Sequence, residues 1–397
     1  LAKEELAGVQ AAADFVNADG GIEGRRIVLD VRDLESGTDA PAVMTALRAA
    51  GAAVVVGAYS SALSIPASQA ANDAGLVYWE AGAVADRLTG RGLPLVFRVG
   101  ASGTNLGSNS AQFAATELAP RLAKAPAQLR VAIVAANDDY AKSVADAAAA
   151  RAETEGTPVV SRTTYDLTVP DFAGVMTQLE AARPDVLILA SHIPDGVAFR
   201  RAMIAANLRV AALIGSTMAE CDPDFAGDLG PDAVGVFASD RPTAGFRPEA
   251  LDAAARAAYD RFAAAWAATP AAPSASTGDE EYALTGPAEA PSAEASEEAL
   301  AGFSAAWALF HDVLPVAARS DPALGASAIA SAARVVDLPQ GSLPNGAGLR
   351  FSSDAATLGQ NERASAVIWQ WQAVRQYAFV WPASYATGAI SFVPLAR

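Results

Sequence analysis

A chain of 397 residues, 52% of them hydrophobic and many of those alanine, is too long for one small core and suits two domains of ordinary size. Twenty-eight Lys and Arg against 44 Asp and Glu leave a formal charge of −16, an acidic surface that repels phosphate backbones and argues against nucleic acid as a partner. Cys221 is the only cysteine, so neither a disulfide framework nor a cysteine-rich metal site is expected, and no run of 18 strongly apolar residues marks a membrane span.

Leu6, Val9, Ala13 and Val16 share one face at helical spacing, and Gly20-Gly21 close that helix. The sequence thus opens inside an amphipathic helix, and a leader and a first strand are expected ahead of Leu1. Ile27, Leu29 and Val31 alternate with more polar neighbours, predicting a half-covered strand. A helix follows over 41–50, with Thr38 or Asp39 as its cap and Gly51 at its end.

The stretch VVVGAYSSALSIPASQAA (54–71) reads as strand, tight turn and helix. Its outline is that of a dinucleotide phosphate loop, yet the glycines of G-x-G-x-x-G are missing, so the backbone cannot wrap a pyrophosphate. Short strands over 76–79 and 95–99 and a helix over 105–122 complete a first set, and 125–130 marks a crossing point.

A second set begins with VAIVAANDD (131–139), a strand running into an acidic turn, and a helix over 140–155. Strands over 159–165, 184–190, 211–217 and 233–240 follow, the second of them leading through SHIPDG into another helix, and 248–268 is helical. Strands alternating with helices predict parallel sheets, hence two open α/β units in tandem. Residues 269–298 carry seven carboxylates, four prolines and no Lys or Arg, the composition of a mobile, solvated insertion, with a functional lid as the sharper alternative. An amphipathic helix over 300–318 and two aromatic strands, 367–372 and 377–382, close the chain.

In open α/β sheets a ligand sits beyond the carboxyl ends of the strands, where helix N-termini point. Such an end carries partial positive charge and unpaired N–H groups, so it favours an anion. Ser60 and Ser61 add hydroxyl donors there, which suits a carboxylate; the alternative is that Ser61 or Ser64 only caps the helix. Glu80 ends a strand, so its carboxylate faces either the ligand or a costly desolvation. Trp79 beside it suits a core or a cleft edge equally. Ser191, His192 and Asp195 have the residue types of a hydrolytic triad, but neighbours on one turn do not converge on one reacting atom.

The runs AGVQAAADFVNADGGIEGRRIVLDVRD (7–33), VVVGAYSSALSIPAS (54–68) and LTGRGLPLVFRV (88–99) resemble the type I periplasmic solute-binding proteins. The likeness is to the leucine/isoleucine/valine-binding branch that feeds ABC transporters. It continues through DDYAKSVA (138–145), VPDFAGVMTQLEAARPDVLILA (169–190) and GAGLRF (346–351). It implies two Rossmann-like lobes with parallel sheets, joined by a hinge of three crossings and closing on a ligand. The implied lobes are 1–122 with 245–333, and 128–243 with 336–397.

By the same resemblance Ser61, beside Ser60, holds a carboxylate, Gly82 and Ala83 supply backbone and small-residue contacts, Tyr140 is a cleft tyrosine, and His192 takes an aromatic's place. Val84 stands where a hydroxyl is usual, and Ala141 where glycine follows the tyrosine. Thr217 falls where amino-acid binders of this branch carry an acid for the ammonium. Glu80 is the preferred substitute for that acid, then Glu220, Asp138 and Asp195. The expectation is therefore a monomeric, non-enzymatic receptor without cofactor, exported and either lipid-anchored or free, that passes an amino acid or related amine to an ABC permease. A non-amine carboxylate or an amide is the runner-up ligand. An α/β enzyme and a ligand-sensing regulator are the alternative roles; no nucleophile elbow, metal triad or phosphate loop supports the first.

Overall fold

The structure, a computed structural model, describes residues 1–268 and 295–395; most of the acidic stretch expected as an insertion lies outside the described residues. The chain starts with α1 (Ala2–Ala18), which buries Val9, Ala12, Ala13 and Val16 along the predicted face. After α2 (Ala40–Ala49) come β1 (Val54–Val56), α3 (Ser61–Asp73), β2 (Val77–Glu80) and β3 (Val96–Arg98). These three strands form a parallel sheet in the order β1-β2-β3, with Val55 opposite Tyr78 and Tyr78 opposite Val96.

The strand expected at 27–31 is not formed. Ile27 gives both its backbone groups to the Asn17 side chain, at 2.7 and 2.9 Å, and Val28 is 86% exposed. Alternation makes a segment fit for pairing, but a strand also needs a neighbour, and this one meets none among the described residues.

The helix α4 (Gly103–Phe113) continues through a π-turn into α5 (Ala119–Arg121) and leads to the larger sheet. That sheet is built by β4 (Val131–Ala136), α6 (Asp139–Thr154), β5 (Val159–Tyr165), α7 (Phe172–Ala182), β6 (Val186–Ala190), α8 (Ile193–Ala205), β7 (Ala212–Ser216), α9 (Pro223–Leu229) and β8 (Phe237–Asp240). β4, β6 and β7 are buried throughout, as continuous apolar runs covered on both faces should be. From β8 the chain goes by α10 (Ala253–Ala268) to α11 (Glu297–Trp307), α12 (Leu314–Ser320) and α13 (Ala326–Val335), and ends on β9 (Val367–Ala373) and β10 (Gln376–Trp381). β9 runs antiparallel to β8 and β10 antiparallel to β9, giving the order β10-β9-β8-β7-β6-β4-β5, so this sheet is mixed rather than wholly parallel.

Two further expectations change. The helix read as amphipathic is buried nearly all round from Glu297 to Ala306. It runs on through a π-turn to Ser320, long and apolar enough to cross a membrane by length and composition, but its most apolar 18-residue stretch is 72% buried inside the protein. A helix apolar on every side belongs in a core, and this one packs on α1. Gly8 and Gly302 permit the approach, because a Cβ at either would strike the backbone of the other helix, at Ala299 and Glu5. As a result the acids that end the expected insertion, Glu297 and Glu298, are buried rather than solvated.

Trp79 is core: fully buried, it donates from Nε1 to Ala305 O at 2.8 Å and packs on Phe97 and Phe351. Trp369 and Trp371 meet edge to face at 5.0 Å inside the larger half.

Candidate functional site

A cavity of about 360 Å³ lies between the two halves at the carboxyl ends of their strands. The smaller sheet contributes Tyr59 to Ala62 and Gly82 to Val84; the larger contributes Asn137 to Tyr140, Lys142, His192, Thr217 and Met218, and Arg241 completes the lining. Of the eight residues singled out from sequence, Ser60, Ser61, Gly82, Ala83, Tyr140, His192 and Thr217 meet here, and Glu80 does not.

Ser60 is the N-cap of α3, its Oγ accepting from Leu63 N–H at 3.3 Å, and Ser61 Oγ accepts from Ala85 N–H at 3.1 Å. In both contacts the oxygen accepts, so each hydroxyl proton is left to donate. The first turn of α3 holds no acid, so its partial positive charge stays uncompensated. At α6 and α8, by contrast, Asp139 and Asp195 sit in the first turn. Serine hydroxyls and an uncompensated helix end together make an anion site on the small-sheet wall.

Glu80, expected to meet an ammonium, is buried behind that wall. Its Oε1 accepts from Gly82 N–H and Ala83 N–H, both at 2.8 Å, and its Oε2 from Tyr78 OH at 3.1 Å. A carboxylate at a strand end is desolvated unless it gathers donors, and the nearest are the amides of its own turn. The same bonds correct the expectation for Gly82 and Ala83: their N–H groups point at Glu80 and not into the cavity. Gly82 O accepts from Arg241, so these residues line the cavity chiefly with Cα and Cβ.

On the opposite wall the Tyr140 hydroxyl lies between Ser191 O, at 3.2 Å, and Ser216 O, tying β6 to β7, while its ring edge meets His192 at 5.2 Å. His192 Nε2 is 3.1 Å from Asp138 Oδ2. Burial alone would lower the His192 pKa, but the bond to Asp138 and its charge raise it above the ordinary histidine value. Burial likewise pushes Asp138 up, and His192 with the Ala141 N–H brings it below the usual carboxylate range.

Asp195 accepts from His192 N–H and from the Tyr165 hydroxyl, and Ser191 Oγ donates to Glu220. The three triad-like side chains therefore point at three different partners. Glu220 is fully buried, its pKa pushed up to about 8 chiefly by that burial, and it reaches no cavity wall. Thr217 stands at the cavity with φ 43°, a costly conformation for a β-branched residue, its N–H bonded to Ser239 O at 2.9 Å.

Sequence reasoning missed Tyr59, Met218, Lys142 and above all Arg241. Arg241 is 3% exposed; it donates to Ala81 O at 3.3 Å and to Gly82 O, and its Nε forms an ion pair with Glu297. Burial would lower its pKa, but Glu297 and Asp240 outweigh that and hold it firmly charged. Its position just past the end of β8 is the signal that singled out Glu80, and applies to it equally. Tyr59, at φ 63°, turns its ring to the cavity and donates from its hydroxyl to Glu298 at 3.2 Å.

Comparison with known proteins agrees with this architecture. Residues 1–309 match the family model of the periplasmic binding proteins. The Leu/Ile/Val-binding protein homolog 8 of Brucella abortus is 30% identical over 374 residues, spanning 94% of this chain and 84% of that protein. Homolog 7 of the same organism is 26% identical over 373 residues, 94% of this chain and 85% of that protein. Among solved structures, an ABC transporter substrate-binding protein of Desulfitobacterium hafniense in complex with Leu superposes with a TM-score of 0.69 at 19% identity, covering 95% of each chain. A solute-binding protein of R. palustris in complex with benzoate gives 0.66 at 16% identity, covering 97% of this chain and 92% of that one. The chain belongs to the periplasmic binding protein family, in its leucine/isoleucine/valine-binding branch, and has the type I fold of that family.

Proposed function

We propose that the chain is the solute receptor of an ABC importer, capturing a small carboxylate-bearing molecule outside the cytoplasm by closure of its two halves. The family is one of solute-binding proteins that take small ligands and work with ABC permeases; it is not an enzyme family. The observation that carries the ligand class is the N-terminus of α3, free of acids and flanked by the Ser60 and Ser61 hydroxyls, opening on the cavity. Leucine and benzoate, the ligands in two structural relatives, have the carboxylate in common and little else. Donors stand on both walls, so a bound anion favours the state in which the walls approach.

A thermal-shift panel tests this reading: leucine, isoleucine, 4-methylpentanoate, benzoate and the primary amide of each acid. One or more of the acids should raise the melting temperature while its amide does so weakly. Equal stabilisation by acid and amide would remove the carboxylate from the reading.

A further inference from the structure

Arg241 bears on the amine expected from sequence, because it occupies the groups that an ammonium would use. An α-ammonium group brought into a buried site needs acceptors for its N–H bonds and a negative charge beside it, because a desolvated, unpaired cation costs several kcal/mol. The cavity wall that holds Ser61 contains such a set: the carbonyls of Ala81 and Gly82, with the carboxylate of Glu297 behind them. All three are engaged by one guanidinium, since Arg241 donates to both carbonyls and pairs with Glu297.

The remaining carboxylates at the cavity are already engaged. Asp138 and Asp139 are the acids among its described lining residues. Asp138 gives one oxygen to Ala141 N–H and the other to His192 Nε2, and Asp139 pairs with Arg87 at 3.2 Å. Thr217, also in the lining, carries no charge. Glu80 and Glu220 are turned inward. An ammonium entering this space would find the two carbonyls and the Glu297 carboxylate already taken by the guanidinium, and the other acids acting on Arg241, Asp240 and Glu298, are buried behind it and do not line the cavity.

We propose that Arg241 occupies the place of a ligand ammonium, so that the cleft selects carboxylates without an α-amino group. This inference rests on the reading of Ser60 and Ser61 as the carboxylate site and narrows the solute to plain or keto acids. It also assigns a specificity-determining role to the Arg241–Glu297 pair. The loop amides bonded to Glu80 fit the same picture, leaving a wall of Cα, Cβ and the Val84 side chain against the carbon next to the carboxylate.

The test is a set of calorimetric titrations with matched pairs, leucine against 4-methylpentanoate and phenylalanine against 3-phenylpropanoate, with the primary amides as a third arm. Wild-type protein should bind the deaminated acid at least tenfold more tightly than its amino acid. Arg241→Met frees two carbonyls and unpairs Glu297, so the preference should shrink at least tenfold or reverse. Arg241→Gln, which can still donate to a carbonyl but carries no charge, should relax it in the same direction, and Arg241→Lys, which keeps the charge, should retain it. Circular dichroism shows that each variant is folded, and the glutamine variant serves if the methionine one is not. A wild type that prefers the amino acids, or an acid-to-amino-acid ratio untouched in the folded neutral variants, overturns the inference while the carboxylate site stands. Amides binding as tightly as acids overturn the carboxylate site and the inference with it.

Discussion

Nε2 of His192 and Oδ2 of Asp138 stand 3.1 Å apart, joining the caps of α8 and α6 at the cavity wall. Each partner shifts the other: the His192 pKa is raised above its ordinary value and that of Asp138 lowered below its own. A raised histidine contributes stability that is complete below its unfolded pKa and disappears as pH rises through its folded pKa. A lowered carboxylate contributes stability present above its unfolded pKa and lost as pH falls through its folded one. The pair is therefore strongest between the ordinary carboxylate and histidine ranges, with Asp195 adding to the field on His192. The melting temperature of wild type minus that of His192→Gln should be largest near pH 5 to 6, roughly between the two reference values, and shrink on either side. A difference flat from pH 4 to pH 9 would count against the pair.

Ser61→Ala should weaken binding of the best acid in the panel by about 1–3 kcal/mol, the range for a hydrogen bond to a charged group. It should also lower stability, because Ser61 Oγ is the acceptor for the buried Ala85 N–H, and an orphaned amide costs about 1–3 kcal/mol. Calorimetry reads the first effect and chemical denaturation the second. Lost stability with unchanged affinity would leave Ser61 a purely structural residue.

Glu80 organises the turn that follows it. Glu80→Ala strips the partner from two buried amides and the Tyr78 hydroxyl at once, so the expected loss of stability is about 3–5 kcal/mol. Glu80→Gln keeps one oxygen for the amides and should cost clearly less. Urea denaturation of the two variants decides it. If the alanine variant is as stable as wild type but has lost its ligand, Glu80 belongs to the binding surface after all.

Closure of the halves should appear in small-angle scattering as a smaller radius of gyration when the tightest acid of the panel is saturating. The comparison requires protein shown to be ligand-free by mass spectrometry. Superimposable curves from such a sample would remove hinge closure from the mechanism.

The alternation of apolar strands with helices was legible in the residues, because 2.0- and 3.6-residue periodicities act within a few positions, although the cap of α3 is Ser60 and not Ser61 or Ser64. Ser60 and Ser61 were legible in the same way, since turns at the carboxyl ends of parallel strands gather on one edge, whereas Gly82, Ala83, Tyr140, His192 and Thr217, which meet them at the cavity, were named through the family resemblance. Pairing was not legible: Ile27 to Val31 has the pattern of a strand, but only the surroundings decide whether a neighbour exists. The charges at the base of the cleft were hidden for the same reason. Glu80 found its donors on its own turn, while Arg241 found carbonyls 159 and 160 positions away and a glutamate on α11, and Tyr59 reached Glu298 across 239 positions. Burial makes each of these ions take whatever partner packing brings within reach, and packing between distant elements is written only in the folded chain.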